Sequence, residues 1–137
     1  MNINCPHMEE RIFTLSEAQS LIPRLRQILE EVSEVWTRMK QLDPEVQKAR
    51  DSAPFDGFSK SGVAYVESVS HLMILLQQIR EMGVVVKDLD KGLCDFPYVR
   101  RGKVVYLCWH LGEESIAYWH DIETGFDSRE PLDETDR

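Results

Sequence analysis

Two long runs in this chain repeat their apolar residues with the period of an α-helix, and this constrains the fold more than any other feature. The first run is Leu15, Ala18, Leu21/Ile22, Leu25, Ile28/Leu29, Val32, Val35/Trp36, Met39 and Leu42. The second is Val63, Val66, Val69/Ser70, Met73, Leu76, Ile79 and Met82. Spacings of three and four put each set on one helix face. Such a face must be buried against something. Two helices joined by a loop form an antiparallel hairpin, but they cannot enclose both stripes alone. The remaining chain must cover one side, and a second copy of the chain is expected to cover another.

Local signals set the helix ends. Thr14-Leu15-Ser16-Glu17 fits a capping box, with Phe13 before the cap and Ala18 at the staple position. Pro44 disfavours helical geometry at Asp43, so the first helix is expected over about 14–42. Pro23 should kink or divide it, and the unbroken stripe favours a kink. Residues 43–61 carry Asp43-Pro44, Ala53-Pro54, Asp56-Gly57 and Ser61-Gly62. They read as a long mobile connection with a helical turn at Glu45–Arg50. The second helix, about 62–82, stops at Gly83, which suits a left-handed C-terminal position.

The period then changes to two. Val84-Val85-Val86 opens a strand, Asp90-Lys91-Gly92 turns, and Leu93–Val99 returns across Pro97. Arg101-Gly102-Lys103 turns again. Val104–Leu111 and Ile116–Ile122 form a hairpin through Gly112–Ser115. The expected architecture is α+β: a long antiparallel helical hairpin packed with a small, mostly antiparallel sheet of three to four strands, about 84–122. At 137 residues the chain fits one domain, 13–132, with a flexible lead at 1–12 and a disordered tail at 133–137.

Composition excludes several classes. A net charge of −8 disfavours nonspecific binding to nucleic acid or anionic membrane. No apolar run approaches the ~20 residues that span a bilayer. The start, MNINCPHMEER, lacks the apolar core of a signal peptide. Cys5, Cys94 and Cys108 are odd in number and widely spaced, unlike a secreted disulfide framework. A cytoplasmic protein with reduced thiols is expected. Gly-rich phosphate loops, Gly-x-Ser-x-Gly, His-Glu-x-x-His and paired Cys-x-x-Cys are absent from the sequence.

Candidate chemistry concentrates between Gly83 and Leu132. If Leu111 pairs with Ile116, His110 and Cys108 lie on the face opposite His120. A slip of one residue matches Trp109 with Trp119 and puts Cys108, His110 and His120 on one face. Only that second register gives a sulfur and two imidazoles suited to zinc or copper. The spacing matches no standard zinc motif, so packing roles are the first expectation. Asp88, Asp90 and Asp95 surround one tight turn and could offer oxygen ligands to a divalent metal, but the segment is not an EF-hand loop. Turn support and ion pairing are the simpler roles. The aromatics Tyr98, Tyr106, Trp109, Tyr118 and Trp119 fit core packing or a lined pocket. Glu113 and Glu114 are expected to be solvated, and Arg129 to pair internally with an acidic group.

The stretches Gly83-Val84-Val85-Val86-Lys87-Asp88-Leu89-Asp90-Lys91-Gly92-Leu93, Asp95-Phe96-Pro97, Val105-Tyr106-Leu107-Cys108-Trp109, Gly112-Glu113, Trp119-His120, Gly125-Phe126, Arg129 and Pro131-Leu132 resemble a family of small bacterial proteins known as domain of unknown function 2203. Phe13-Thr14-Leu15, Glu17-Ala18 and Leu21-Ile22-Pro23-Arg24-Leu25 fit it too. The resemblance carries no activity. It implies weight on Asp88, Asp90, Asp95, Glu113, Trp119, His120 and Arg129 as a polar site. It also implies a basic residue such as arginine at position 110, so His110 departs from the pattern.

Two functions follow as expectations. The first is a noncatalytic binding or assembly module that forms a homodimer through its helices. The second is a small metal-dependent enzyme or ligand binder with a site at the sheet edge. Neither the ligand nor any reaction is legible.

Overall fold

The structure, a computed structural model, describes residues 11–52 and 60–136. The first helix starts where the capping box directs it. The Thr14 N–H donates to Glu17 Oε1 at 2.9 Å, and the Glu17 N–H donates to Thr14 Oγ1 at 3.0 Å. Phe13 and Ala18, the staple pair, are both buried. Helix α1 runs Leu15–Ser52, and α2 runs Lys60–Glu81.

The end of α1 differs from the expected boundary near Leu42. The helix passes through Pro44 and absorbs the expected turn at Glu45–Arg50. It is also undivided at Pro23. Both prolines lie on exposed positions, where a carbonyl deprived of its helical partner can take water. The remaining linker, 53–59, and most of the lead lie outside the described residues, as do Cys5 and His7.

Five strands form one antiparallel meander in chain order: β1 Val85–Asp88, β2 Leu93–Arg100, β3 Lys103–His110, β4 Tyr118–His120 and β5 Glu130–Pro131. The α+β architecture therefore holds, with more strands than expected. β5 was missed because it spans only two residues and has no alternation to read. β2 and β3 meet through Arg101-Gly102, with φ of 54° and 80°. That is the primed two-residue turn that suits the strand twist.

The sheet packs one face on the helices. Cys94, Phe96, Tyr98, Val105, Leu107 and Trp109 share this face by alternation and are all buried. They join Ala18, Ile22, Leu25 and Leu29 of α1 and Leu75 and Ile79 of α2 in one cluster. Each fully buried large apolar side chain contributes about 1.5–3 kcal/mol.

α2 buries only part of the stripe read from its sequence: Ile79 is covered, and Val69 and Leu76 pack against the core. Its covered residues are Ser68, Leu72, Leu75 and Ile79, while Val63, Val66 and Met73 face outward. The helix is apolar on two sides, so a single-stripe reading mixed them. The acidic end also departs from expectation. Residues Glu134–Asp136 form a 3-10 turn, and Arg100 Nε binds Asp136 at 3.1 Å with both side chains nearly covered. The ion pair holds down a segment whose composition alone reads as disordered. Among the described residues no helix is long and apolar enough to cross a membrane.

Candidate functional site

Strand alternation gives the sheet a second face. Asp95 pairs with Cys108, Cys108 with Tyr118, and Tyr106 with His120. Directly paired residues point to the same side, so Asp95, Cys108, His110 and His120 all lie opposite the helical core. The hairpin has adopted the parity that groups Trp109 with Trp119 and Cys108 with His120. Its paired part is short, because β4 ends at His120.

Asp95, Cys108 and His120 form the centre of this face. Their relative exposures are 1%, 0% and 3%. His120 Nε2 lies 3.1 Å from each Asp95 carboxylate oxygen. Its other nitrogen, Nδ1, is 2.7 Å from the Asp121 backbone oxygen. The Cys108 thiol lies within the electrostatic reach of Asp95 and of Arg129. One ligand atom from each of Asp95, Cys108 and His120 can be chosen with all three within 4.8 Å of one another. Burial raises the Asp95 carboxyl above its usual range, against the opposing pull of His120, Lys87 and Cys108. Burial, reinforced by the Asp95 charge, pushes the Cys108 thiol up to about 11, although Arg129 pulls the other way. Cys94, on the opposite face, is pushed up too, mainly by burial.

An ion pair lies beside this centre, next to Cys108. Arg129 Nη1 lies 3.1 Å from Glu113 Oε1, and Nη2 lies 2.9 Å from Oε2. Glu113 Oε1 also accepts the His110 backbone N–H at 2.9 Å. The Arg129 guanidinium sits 4.1 Å from the Tyr118 ring centre and 4.2 Å from that of Phe126. Such stacking fixes a planar cation. The 3-10 turn Phe126–Ser128 delivers Arg129 to this position, and its N–H bonds Phe126 O at 3.2 Å. The loop carrying Glu113 is itself pinned, because Trp109 Nε1 donates to Glu113 O at 3.0 Å.

The residues expected to form one polar site separate into three places. Asp95, Glu113, His120 and Arg129 come together on the second face. Asp88 and Asp90 do not join them. Asp88 Oδ1 accepts the N–H groups of Asp90 and Lys91 at 2.8 and 3.0 Å, which shapes the β1–β2 turn. Asp90 reaches α1, where Trp36 Nε1 and Lys40 Nζ donate to its Oδ1 at 2.9 and 2.7 Å. Trp119 lies on the other side of the sheet, with Arg100 4.5 Å from its ring centre. Glu113 is not solvated as expected, because Arg129 and the His110 N–H hold it. Arg129 finds its acidic partner in Glu113 rather than in the aspartates.

The Cys108–His110–His120 set, weighed against plain packing roles, differs in one member from the group that the fold brings together. His110 shares the face, but its Nδ1 lies 2.8 Å from Leu111 O and its ring meets Phe126 edge-on at 5.6 Å. Asp95 takes its place beside Cys108. The sequence reading put Asp95 with the turn aspartates and Cys108 with the histidines. Pairing Leu93–Val99 against Val104–Leu111 through the Arg101-Gly102 turn would have joined them. His120 is flanked on both sides, by the Asp121 backbone oxygen at Nδ1 and by Asp95 at Nε2.

The chain belongs to the family described as Uncharacterized conserved protein (DUF2203), which it matches over residues 11–132. No curated protein and no solved structure matches it significantly.

Proposed function

We propose that this member of the DUF2203 family is a noncatalytic binding or assembly module of the cytoplasm that works as a homodimer, its subunits joined through α2. One observation carries the reading: α2 is apolar on two sides, and its own fold covers only one. Val63, Val66, Met73 and Ile74 are 45%, 50%, 65% and 59% exposed. Val63, Val66, Ser70, Met73 and Gln77 follow one another at spacings of three and four, the seam of a helix–helix contact. An identical seam on a second copy packs against it in antiparallel fashion and closes a two-fold dimer, using the same patch twice. Free Cys94 and Cys108, buried on opposite sheet faces, fit a reducing compartment.

The reading is tested by light scattering on the purified full chain. The expected mass is twice the 15.9 kDa of one chain. Met73→Glu places a charge on the seam while leaving the buried side of α2 intact, so a folded monomer is expected. A stable monomer in the unsubstituted protein at micromolar concentration would refute the dimer.

A second reading has its own support. The buried Asp95–Cys108–His120 centre favours a ligand binder, whether or not the chain associates.

A further inference from the structure

The hydrogen bonding of His120 fixes how its imidazole faces Asp95 and Cys108. The Asp121 carbonyl can only accept, so at 2.7 Å it requires the proton on Nδ1. In the neutral ring that leaves Nε2 as a bare lone pair. Nε2 then points at both oxygens of Asp95, at 3.1 Å each. A lone pair facing a carboxylate is repulsive, and at 3% and 1% exposure no bulk water relieves it. Either a proton or a metal ion must therefore lie between these groups. Anchoring Nδ1–H on a backbone carbonyl while Nε2 faces inward is how proteins orient a metal-ligating histidine.

We propose that Asp95, Cys108 and His120 form a divalent transition-metal site, of the zinc class, on the second face of the sheet. The donor set of one carboxylate oxygen, one sulfur and one imidazole nitrogen suits a borderline-soft ion rather than magnesium or calcium. The charges also balance. A dication with one carboxylate and one thiolate is neutral, so it removes the two anions that burial disfavours most here. Binding displaces the Cys108 proton to solvent and forms the metal–sulfur bond, with no change of oxidation state. Three protein ligands leave a fourth position for water or an anion. Arg129, which reaches Cys108, would bring a positive charge near that side. The site stands whether or not α2 forms a dimer.

The experiment uses the full chain without an affinity tag, carrying Cys5→Ser and Cys94→Ala, so that Cys108 is the only sulfur ligand of its kind. Zinc is titrated by calorimetry, and cobalt(II) is added separately to look for thiolate-to-metal charge transfer in the near ultraviolet. The expected result is one zinc per chain, with proton release, and a cobalt–thiolate band. His120→Gln should weaken zinc binding by more than the roughly 10–100-fold typical of an outer-shell partner. His110→Gln should leave binding and band unchanged. Folding of each variant is checked by circular dichroism. The cobalt band in the parent keeps the test decisive if His120→Gln fails to fold. A folded parent that takes up no zinc and shows no cobalt band overturns the proposal. So does an imidazolium signal for His120 at neutral pH with zinc in excess, since a proton would then fill the gap.

Discussion

Removing Glu113 should loosen the whole second face of the sheet. Its carboxylate makes two contacts to Arg129, at 3.1 and 2.9 Å, and accepts the His110 N–H at 2.9 Å. The two side chains are only 17% and 16% exposed, so solvent screens them weakly. A hydrogen bond to a charged group contributes about 1.5–3 kcal/mol. Breaking a fully buried ion pair costs about 3–5 kcal/mol, and an exposed pair about 0–1 kcal/mol. The Glu113–Arg129 pair lies nearer the buried limit. Glu113→Ala is therefore expected to cost about 3 kcal/mol. Glu113→Gln keeps an acceptor for His110 and should cost about 1–2 kcal/mol. Urea unfolding of Glu113→Ala, Arg129→Ala and the double variant gives the coupling, expected at about 1–2 kcal/mol. The exposed Lys103–Asp121 pair, at 2.9 Å, serves as the control and should show no measurable coupling. A Glu113–Arg129 coupling as small as that of the control would refute the claim that this pair is structural.

Other perturbations give separate checks. Gly92 has φ of +63°, and an added Cβ would sit 2.8 Å from Leu111 Cβ, so Gly92→Ala should destabilise by about 2 kcal/mol or more in thermal unfolding. In metal-free Cys5→Ser protein, Cys94 and Cys108 should resist a thiol reagent until the chain unfolds, when both react. The Cys108 thiol rises from an ordinary 9.0 to about 11, so its contribution to stability is complete below pH 9.0 and is lost as pH climbs through 11. Unfolding free energy of the metal-free protein should fall over that window, and less steeply in Cys108→Ala. Arg100→Ala strips the nearly buried Asp136 of its charge partner and should cost about 2–3 kcal/mol, with residues 133–136 becoming accessible to protease.

The helices were legible where local chemistry decides the outcome. Thr14 and Glu17 write their reciprocal capping bonds directly into the sequence, and Phe13 with Ala18 completes the entry. The Arg101-Gly102 turn was equally plain. The α1 terminus was not, because a proline near the end of a long helix loses one bond without forcing a stop. α2 misled in another way: with apolar residues on two sides, its period cannot say which side meets the sheet. At the site, Asp95, Glu113, His120 and Arg129 were all named from the sequence. Their grouping was not visible, because it depends on strand parity. One step of register decides whether Cys108 meets His120, and Asp95 reaches them only through the β2–β3 pairing. Asp88 and Asp90 look identical to Asp95 in sequence, yet the turn and α1 claim them.

The account rests most heavily on the outward side of α2. A spin label at Glu67, an exposed position beside the seam, would report on it through electron–electron distances between chains. The label is introduced as Glu67→Cys in the Cys5→Ser background, where the buried Cys94 and Cys108 stay unlabelled. Packed helix axes lie about 8–10 Å apart. The account predicts one narrow, short interchain distance, abolished by Met73→Glu. A sample with no interchain distance, or with one that Met73→Glu leaves unchanged, would contradict it.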